Sequence, residues 1–263
     1  MSIVESIVLG IVQGLTEFLP ISSTAHLRIV PALFGWNDPG TAFSAVIQLG
    51  TMFAVIVYFY KDLKKIYLKK SRLGLWILIS TIPICIFGIL FKDQIEGGLV
   101  RNLNLIAFYL IFFGVLLFLS EMLSKQNKSL DNINFWDVFL IGIMQSFALI
   151  PGVSRSGVTL FAGLLIGYKR SDAARFSFLL SVPAVFASGL LEFITFIKTV
   201  NSVGGGFEFF NLFLGVVVSY FSGYLAIDFL LKYLQFHKTH IFVIYRVLLG
   251  VLILFLSFKG FIH

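Results

Sequence analysis

Arg155 is the only formal charge between Val138 and Tyr168, and Glu17 and His26 are the only ionisable side chains between Glu5 and Arg28. Both stretches are otherwise apolar. At membrane depth a cationic side chain costs at least about 2.5–3.5 kcal/mol on insertion scales, so an intramembrane charge needs a partner or a task. Arg155 sits within Pro151-Gly152-Val153-Ser154-Arg155-Ser156-Gly157-Val158-Thr159, and Glu17 is flanked by Gln13, Pro20, Ser22, Ser23, Thr24 and His26. Proline, glycine and hydroxyl residues in such runs indicate helices broken where open backbone faces a polar cavity. A guanidinium beside the free N–H groups of a half-helix suits an anion, and phosphate fits best.

Phosphoryl transfer asks for little more: donors on the phosphate oxygens, a nucleophile, and groups that move protons. Gln13 and Glu17 are four residues apart and share one helical face. Glu17 could activate a serine or a water, or hold a divalent cation. Ser23 is a candidate nucleophile, with water as the alternative, and His26 could act as general acid or base near neutral pH. Capping of the next half-helix accounts for one of Ser22 and Ser23. It leaves the other hydroxyls, Glu17 and His26 unexplained. A hard cation, Mg2+ with Ca2+ as the alternative, takes oxygen ligands. Gln13 and Glu17 offer it one amide and one carboxylate, so substrate phosphates would have to help hold it.

These residues must be positioned by membrane helices. The chain has 263 residues, 58% of them hydrophobic and only 13% charged, against roughly 25% charged in a soluble domain. An all-α integral membrane protein is expected, as a single domain spanning 1–263. About 20 apolar residues cross a bilayer, and six runs suffice: 41–60, 73–91, 104–120, 176–197, 209–231 and 241–258. Residues 6–34 and 136–167 are apolar but interrupted at Pro20 and Pro151, and both are read as re-entrant hairpins.

The chain also repeats. Gly10-Ile11-Val12-Gln13 matches Gly142-Ile143-Met144-Gln145, Pro20 and Ser22 match Pro151 and Ser154, and Phe43-Ser44 and Phe53-Ala54 match Phe176-Ser177 and Phe186-Ala187. The offset stays between 131 and 133 residues. Repeat 1 covers about 1–122 and repeat 2 about 134–260, each a hairpin plus three spans. Three is odd, so the second copy is inverted, a layout in which sites form where the broken helices meet.

Lysine and arginine set the expected orientation. Loops 61–72, 121–135, 168–175 and 232–246 carry Lys61, Lys64, Lys65, Lys69, Lys70, Arg72, Lys125, Lys128, Lys169, Arg170, Arg175, Lys232, Lys238 and Arg246, whereas the opposite face has Arg28, Lys92, Arg101, Lys198 and Lys259. The rich face should be cytoplasmic, with both termini outside. Lys128 reads as a solvated loop residue whose loss should be silent. The net charge of +7 is accounted for by these loops and does not call for nucleic acid. Cys85 is the only cysteine, which rules out a cysteine-based disulfide framework or zinc site. No basic segment precedes the first apolar run, so no cleaved signal peptide is expected.

Gln13-x-x-x-Glu17 followed by Phe18-Leu19-Pro20-Ile21-Ser22-Ser23-Thr24-Ala25-His26, and the run Pro151 to Thr159, resemble the two signature motifs of the bacterial undecaprenyl-diphosphate phosphatase family, the bacitracin-resistance type. Gln48-Leu49-Gly50 and Ala173-Ala174-Arg175-Phe176-Ser177-Phe178-Leu179-Leu180 also resemble it, so the likeness covers essentially the whole chain. The resemblance implies hydrolysis of C55 isoprenyl diphosphate to the monophosphate lipid carrier of cell-wall synthesis, divalent-cation dependence, and a place in the bacterial cell membrane with the site open to the outer face. It implies catalytic roles for Glu17, Ser23, His26 and Arg155, and substrate binding by Gln13, Ser22, Thr24, Gln48, Ser154, Ser156 and Thr159, with Glu17 at any metal. Gln13 stands where some members have Glu, which weakens a two-carboxylate metal site, and Ala25 replaces a common Gly. Partners are the lipid substrate and membrane lipids, and a homodimer stays open. The rival reading is a transporter or flippase for a phosphorylated polyprenyl lipid, which inverted repeats would suit but which needs no nucleophile. The type-2 phosphatidic acid phosphatase signature requires His six residues after its Arg, where this chain has Phe161.

Overall fold

The computed structural model describes residues 1–68, 71–96, 102–203 and 206–262. Lys69, Lys70 and Arg101, counted above for orientation, and His263 lie outside the described residues, as does the side chain of Lys198. The fold is almost wholly helical. Six helices among the described residues are long and apolar enough to cross a membrane: α3 (Gly40–Tyr58), α5 (Arg72–Leu90), α7 (Leu103–Leu123), α10 (Arg170–Val203), α11 (Gly206–Phe236) and α12 (His240–Phe258). They coincide with the six expected runs. Their outward faces carry large apolar side chains such as Leu78, Leu123, Phe186, Phe213 and Leu248. Polar groups such as Gln13, Glu17 and Arg246 are buried instead. That inside-out arrangement is the stable one where the solvent is hydrocarbon.

The two interrupted runs break around Pro20 and Pro151, whereas Pro31 stays inside a helix. Residues 6–34 become α1 (Ile3–Phe18) and α2 (Ser23–Phe34). Residues 136–167 become α8 (Phe135–Ser146), a 3₁₀ turn at Phe147–Leu149 and α9 (Arg155–Leu165). Two short helices, α4 (Tyr60–Leu68) and α6 (Lys92–Glu96), follow the first two spans.

α1 and α8 begin alike. Ser2 and Glu5 form a capping box on α1, and Asn134 and Asp137 form one on α8, 132 residues later. Each box satisfies two N–H groups that a helix start otherwise leaves without partners. α1 packs on α11 and α8 packs on α5. In both cases a motif glycine permits the contact: a Cβ on Gly10 would lie 2.8 Å from the Gly215 carbonyl oxygen, and one on Gly142 2.6 Å from that of Ser80. Side chains Gln13 and Gln145, one turn further along, are both fully buried.

Three expectations about the basic face change. The run from Lys61 is helical: Leu63 and Ile66 pack inward, Lys64 and Lys65 point out, and Asp62 pairs with Arg175 at 2.7 Å. Apolar residues three apart were enough to make an amphipathic turn there. Arg246 is not a loop residue. It lies inside α12 and is fully buried. Lys128 is not merely solvated. Its ammonium bonds the buried Asp137 at 3.0 Å, and its backbone forms an isolated parallel bridge with Tyr168.

The Tyr168 hydroxyl donates to the other Asp137 oxygen at 2.7 Å. Burial first, and the Asp137 carboxylate second, push the Tyr168 phenol well up, so it stays protonated and donating at any ordinary pH. Glu121 closes the same end of the molecule, accepting from Arg170 Nε at 2.7 Å and from the Thr239 hydroxyl at 2.9 Å. Lys128→Ala leaves a buried carboxylate short of a charged donor, worth about 1–3 kcal/mol. A lower thermal midpoint is expected, with turnover below that midpoint unchanged; an unchanged midpoint would return Lys128 to the solvated class.

Candidate active site

The breaks at Leu19–Ser22 and Ile150–Ser154 approach each other in the interior. Ser22 and Ser154 cap α2 and α9 with the same unusual backbone, φ +74° and +69°, and each side chain accepts from the N–H three residues on. A non-glycine residue with positive φ costs on the order of 1–3 kcal/mol, and such strain gathers at functional sites. Its recurrence at matched positions aims two half-helix N-termini into one region, a favourable setting for an anion.

Hydrogen bonds stitch the breaks together. The Gly152 N–H donates to Thr24 Oγ1 at 3.4 Å, and the Ser156 hydroxyl donates to the Leu19 carbonyl at 3.1 Å. Ser22 and Thr24 hydroxyls lie 3.0 Å apart, and those of Ser154 and Ser156 3.2 Å.

Glu17 is the hub. Its Oε2 accepts from Gln13 Nε2 and from the Ser23 hydroxyl, both at 2.7 Å, and its Oε1 is ion-paired with Arg155 across 138 residues of sequence. The two lone intramembrane charges therefore neutralise each other directly. Their small cleft is lined by Glu17, Phe18, Arg155, Ser156, Ser177, Phe178 and Ser181, with Phe18 and Phe178 packed edge to face at 5.1 Å. Thr159 bonds the Arg155 carbonyl at 2.7 Å and shares a 2.5 Å hydroxyl contact with Ser177.

The site thus joins motifs from the two breaks, a carboxylate–guanidinium pair between them and twin positive-φ caps. The family described as bacitracin resistance protein BacA matches residues 6–252.

The chain belongs to the BacA family.

Proteins named undecaprenyl-diphosphatase are similar along their full length. The one from Chloroherpeton thalassium is 47% identical, covering 99% of this chain and 98% of its own. The Chlorobium phaeovibrioides protein is 48% identical, covering 99% of both chains. The Gloeobacter violaceus protein is 49% identical, covering 98% of this chain and 93% of its own.

In this BacA-family member both ring nitrogens of His26 are engaged by groups other than Glu17. Its Nδ1 lies 2.7 Å from the Ser22 carbonyl, which can only accept, so Nδ1 carries hydrogen. In the neutral ring Nε2 then accepts from the Tyr245 hydroxyl at 2.7 Å, and the two rings stack with centroids 5.6 Å apart. Gln48 sits half-buried on α3 and does not line the cleft.

Four residues at the site were not singled out as site residues from sequence. Ser177 and Ser181 are four apart on α10 and form its wall of the cleft. Ser177 falls in the repeated Phe-Ser pair, but a serine in an apolar helix carries little signal alone. Tyr245 and Arg246 follow one another on α12. Arg246 did carry the signal used for Arg155, being the only formal charge between Lys238 and Lys259.

The residues were also weighed against a divalent cation. Both Glu17 oxygens are engaged, and Gln13 Oε1, on the residue that bonds Glu17, is buried with no hydrogen-bond partner. No group of three His, Cys, Asp or Glu that could hold a metal occurs among the described residues. That donor set fits a cation that arrives with most of its ligands and does not fit an all-protein cage.

Proposed function

We propose that this protein hydrolyses undecaprenyl diphosphate to undecaprenyl phosphate and inorganic phosphate in the bacterial cell membrane, recycling the lipid carrier and conferring bacitracin resistance. The observation that carries this reading is the Glu17 carboxylate, shared between Ser23 of one break and Arg155 of the other. The relatives' name supplies the substrate.

The chemistry follows from that arrangement. The terminal phosphate draws Arg155 off Glu17, and the N-termini of α2 and α9 supply N–H donors and positive potential to its oxygens. Loss of Arg155 frees Glu17 Oε1, while Oε2 keeps the Ser23 hydrogen bond. Ser23 already donates to Glu17 Oε2, so proton transfer and attack of Ser23 Oγ on the terminal phosphorus are concerted. The bond from that phosphorus to the bridging oxygen breaks, and undecaprenyl phosphate leaves with the electron pair. The departing undecaprenyl phosphate carries the Ser23 proton away from Glu17. The regenerated carboxylate then takes a proton from water, and the water oxygen attacks the phosphoserine phosphorus. The P–Oγ bond breaks, and Glu17 returns the proton to Ser23 Oγ as inorganic phosphate leaves. His26, its Nδ1–H held on the Ser22 carbonyl, exchanges protons at Nε2 by way of the Tyr245 hydroxyl bonded there. Gln13 Oε1 and the freed Glu17 Oε1 would hold a divalent cation delivered on the diphosphate, which would neutralise charge on the phosphate oxygens.

The inverted-repeat reading has support at several matched positions: the capping boxes on α1 and α8, the positive-φ serines, and the glycine contacts of α1 with α11 and α8 with α5. On that reading the first hairpin enters from outside, the second from the cytoplasm, and the lipid reaches the site from the outer face. A cytoplasm-only reporter fused after His263 should be inactive, and signal from it would overturn this topology.

Phosphate release from a long-chain isoprenyl diphosphate in detergent tests the activity. Turnover is expected with Mg2+ or Ca2+ present and should fall to background in excess EDTA. Undiminished release in EDTA removes the cation from the mechanism; no release under any condition removes the hydrolase reading.

A further inference from the structure

Arg246 is fully buried, yet among the described residues it has no carboxylate partner. Its guanidinium donates only to backbone carbonyls. Nε reaches Leu110 at 3.2 Å, NH1 reaches Pro20 at 3.3 Å, and NH2 reaches Gly152 at 3.0 Å and Val153 at 2.9 Å. Pro20 belongs to the first break, Gly152 and Val153 to the second, and Leu110 to α7. One side chain therefore binds both breaks to α7 and α12 at once.

Its place is prepared by glycine. A Cβ on Gly157, in the first turn of α9, would lie 2.6 Å from Arg246 NH1, and one on Gly114 of α7 would meet the arginine stem at 3.6 Å. The neighbouring residue on α12, Tyr245, holds His26.

A planar fork of five donors suits this task as an ammonium would not. Three of the carbonyls it takes lie within three residues of the start of a half-helix. With those oxygens turned to Arg246, the following N–H groups at Ala25 and Gly157 stay on their serine caps. The charge count also matters. Glu17, Arg155 and Arg246 sum to one net positive charge in a low-dielectric interior, so an arriving anion supplies the missing compensation.

We propose that Arg246 is a positioning residue for phosphoryl transfer: it holds the two breaks in register so that the α2 nucleophile and the α9 phosphate clamp face each other. It does not touch substrate. The inference rests on the phosphatase reading for its kinetic consequence, while the coupling of the breaks can be read without turnover.

The test compares wild type, Arg246→Lys and Arg246→Met, purified in detergent, by thermal unfolding, backbone hydrogen exchange and steady-state phosphate release. Arg246→Lys is expected to fold. Exchange should rise in residues 18–26 and 150–158 together. kcat per folded molecule should fall by about 10²-fold, because a misplacement of about 1 Å costs that much. KM should change by less than about 3-fold, because Arg155 still binds the ground state. A purely structural staple would lower the unfolding temperature without that split. The proposal fails if a folded variant keeps wild-type kcat, if only one segment loosens, or if neither variant folds. Wild type without phosphate release would sink the hydrolase reading alone, since the exchange result still decides whether Arg246 couples the breaks.

Discussion

Arg155→Ala should reduce kcat/KM for isoprenyl diphosphate by at least about 10³-fold, the scale of losing an arginine that stabilises a transferring phosphoryl group. Arg155 is the cation lining the cleft with Glu17, and its guanidinium can present two parallel donors to a phosphate. The same change strands Glu17, 7% exposed, without its counter-ion. Breaking a buried pair from one side costs about 3–5 kcal/mol unless the remaining group neutralises. A lowered thermal midpoint is therefore also expected, and activity must be expressed per folded molecule. Arg155→Lys keeps the charge but loses the fork, and should recover stability better than turnover. Near-normal turnover in folded Arg155→Ala would remove Arg155 from the mechanism.

Glu17→Gln should separate binding from chemistry. The amide keeps the shape of the carboxylate but can no longer take the Ser23 proton. General-base contributions of about 10²–10⁴ set the expected loss in kcat. KM should stay level or fall. In the wild type, phosphate must displace the Glu17 carboxylate from Arg155 before it can bind, and in the variant Arg155 has no competing anion. A lower kcat at unchanged or lower KM is the signature of lost transition-state stabilisation with ground-state competition relieved. A raised KM at constant kcat would instead make Glu17 a binding residue. Equal loss in Glu17→Gln and in the Glu17→Gln, Arg155→Ala double variant would show the pair acting as one unit.

Much of this was legible in the chain. The six spans follow from composition and length, since a 30 Å apolar layer demands about 20 apolar residues. The breaks follow from Pro20 and Pro151 together with the hydroxyl residues beside them, since Pro31, Pro83 and Pro183 stay within helices. Glu17 and Arg155 stood out because charge in apolar sequence is costly. The run from Lys61 was harder: lysines there suggested a loop, but Leu63 and Ile66 made a helix that runs to Leu68.

Amino-acid sequence by itself determined which segments enter the membrane, where they break, and which residue types gather at each break. These are local or one-dimensional properties, set by hydropathy, proline and spacing. Only the tertiary structure decided who meets whom. Glu17 finds Arg155 across 138 residues, His26 finds Tyr245 across 219, and Arg246 reaches Pro20 across 226. Such pairings depend on how α1, α9 and α12 pack. In hydrocarbon that packing rests on close van der Waals fit and on hydrogen bonds that no solvent can replace. Arg246 makes the distinction concrete. Its isolation in apolar sequence hinted at burial, but only packing shows a buried cation whose acceptors are carbonyls that the two breaks and α7 present to it.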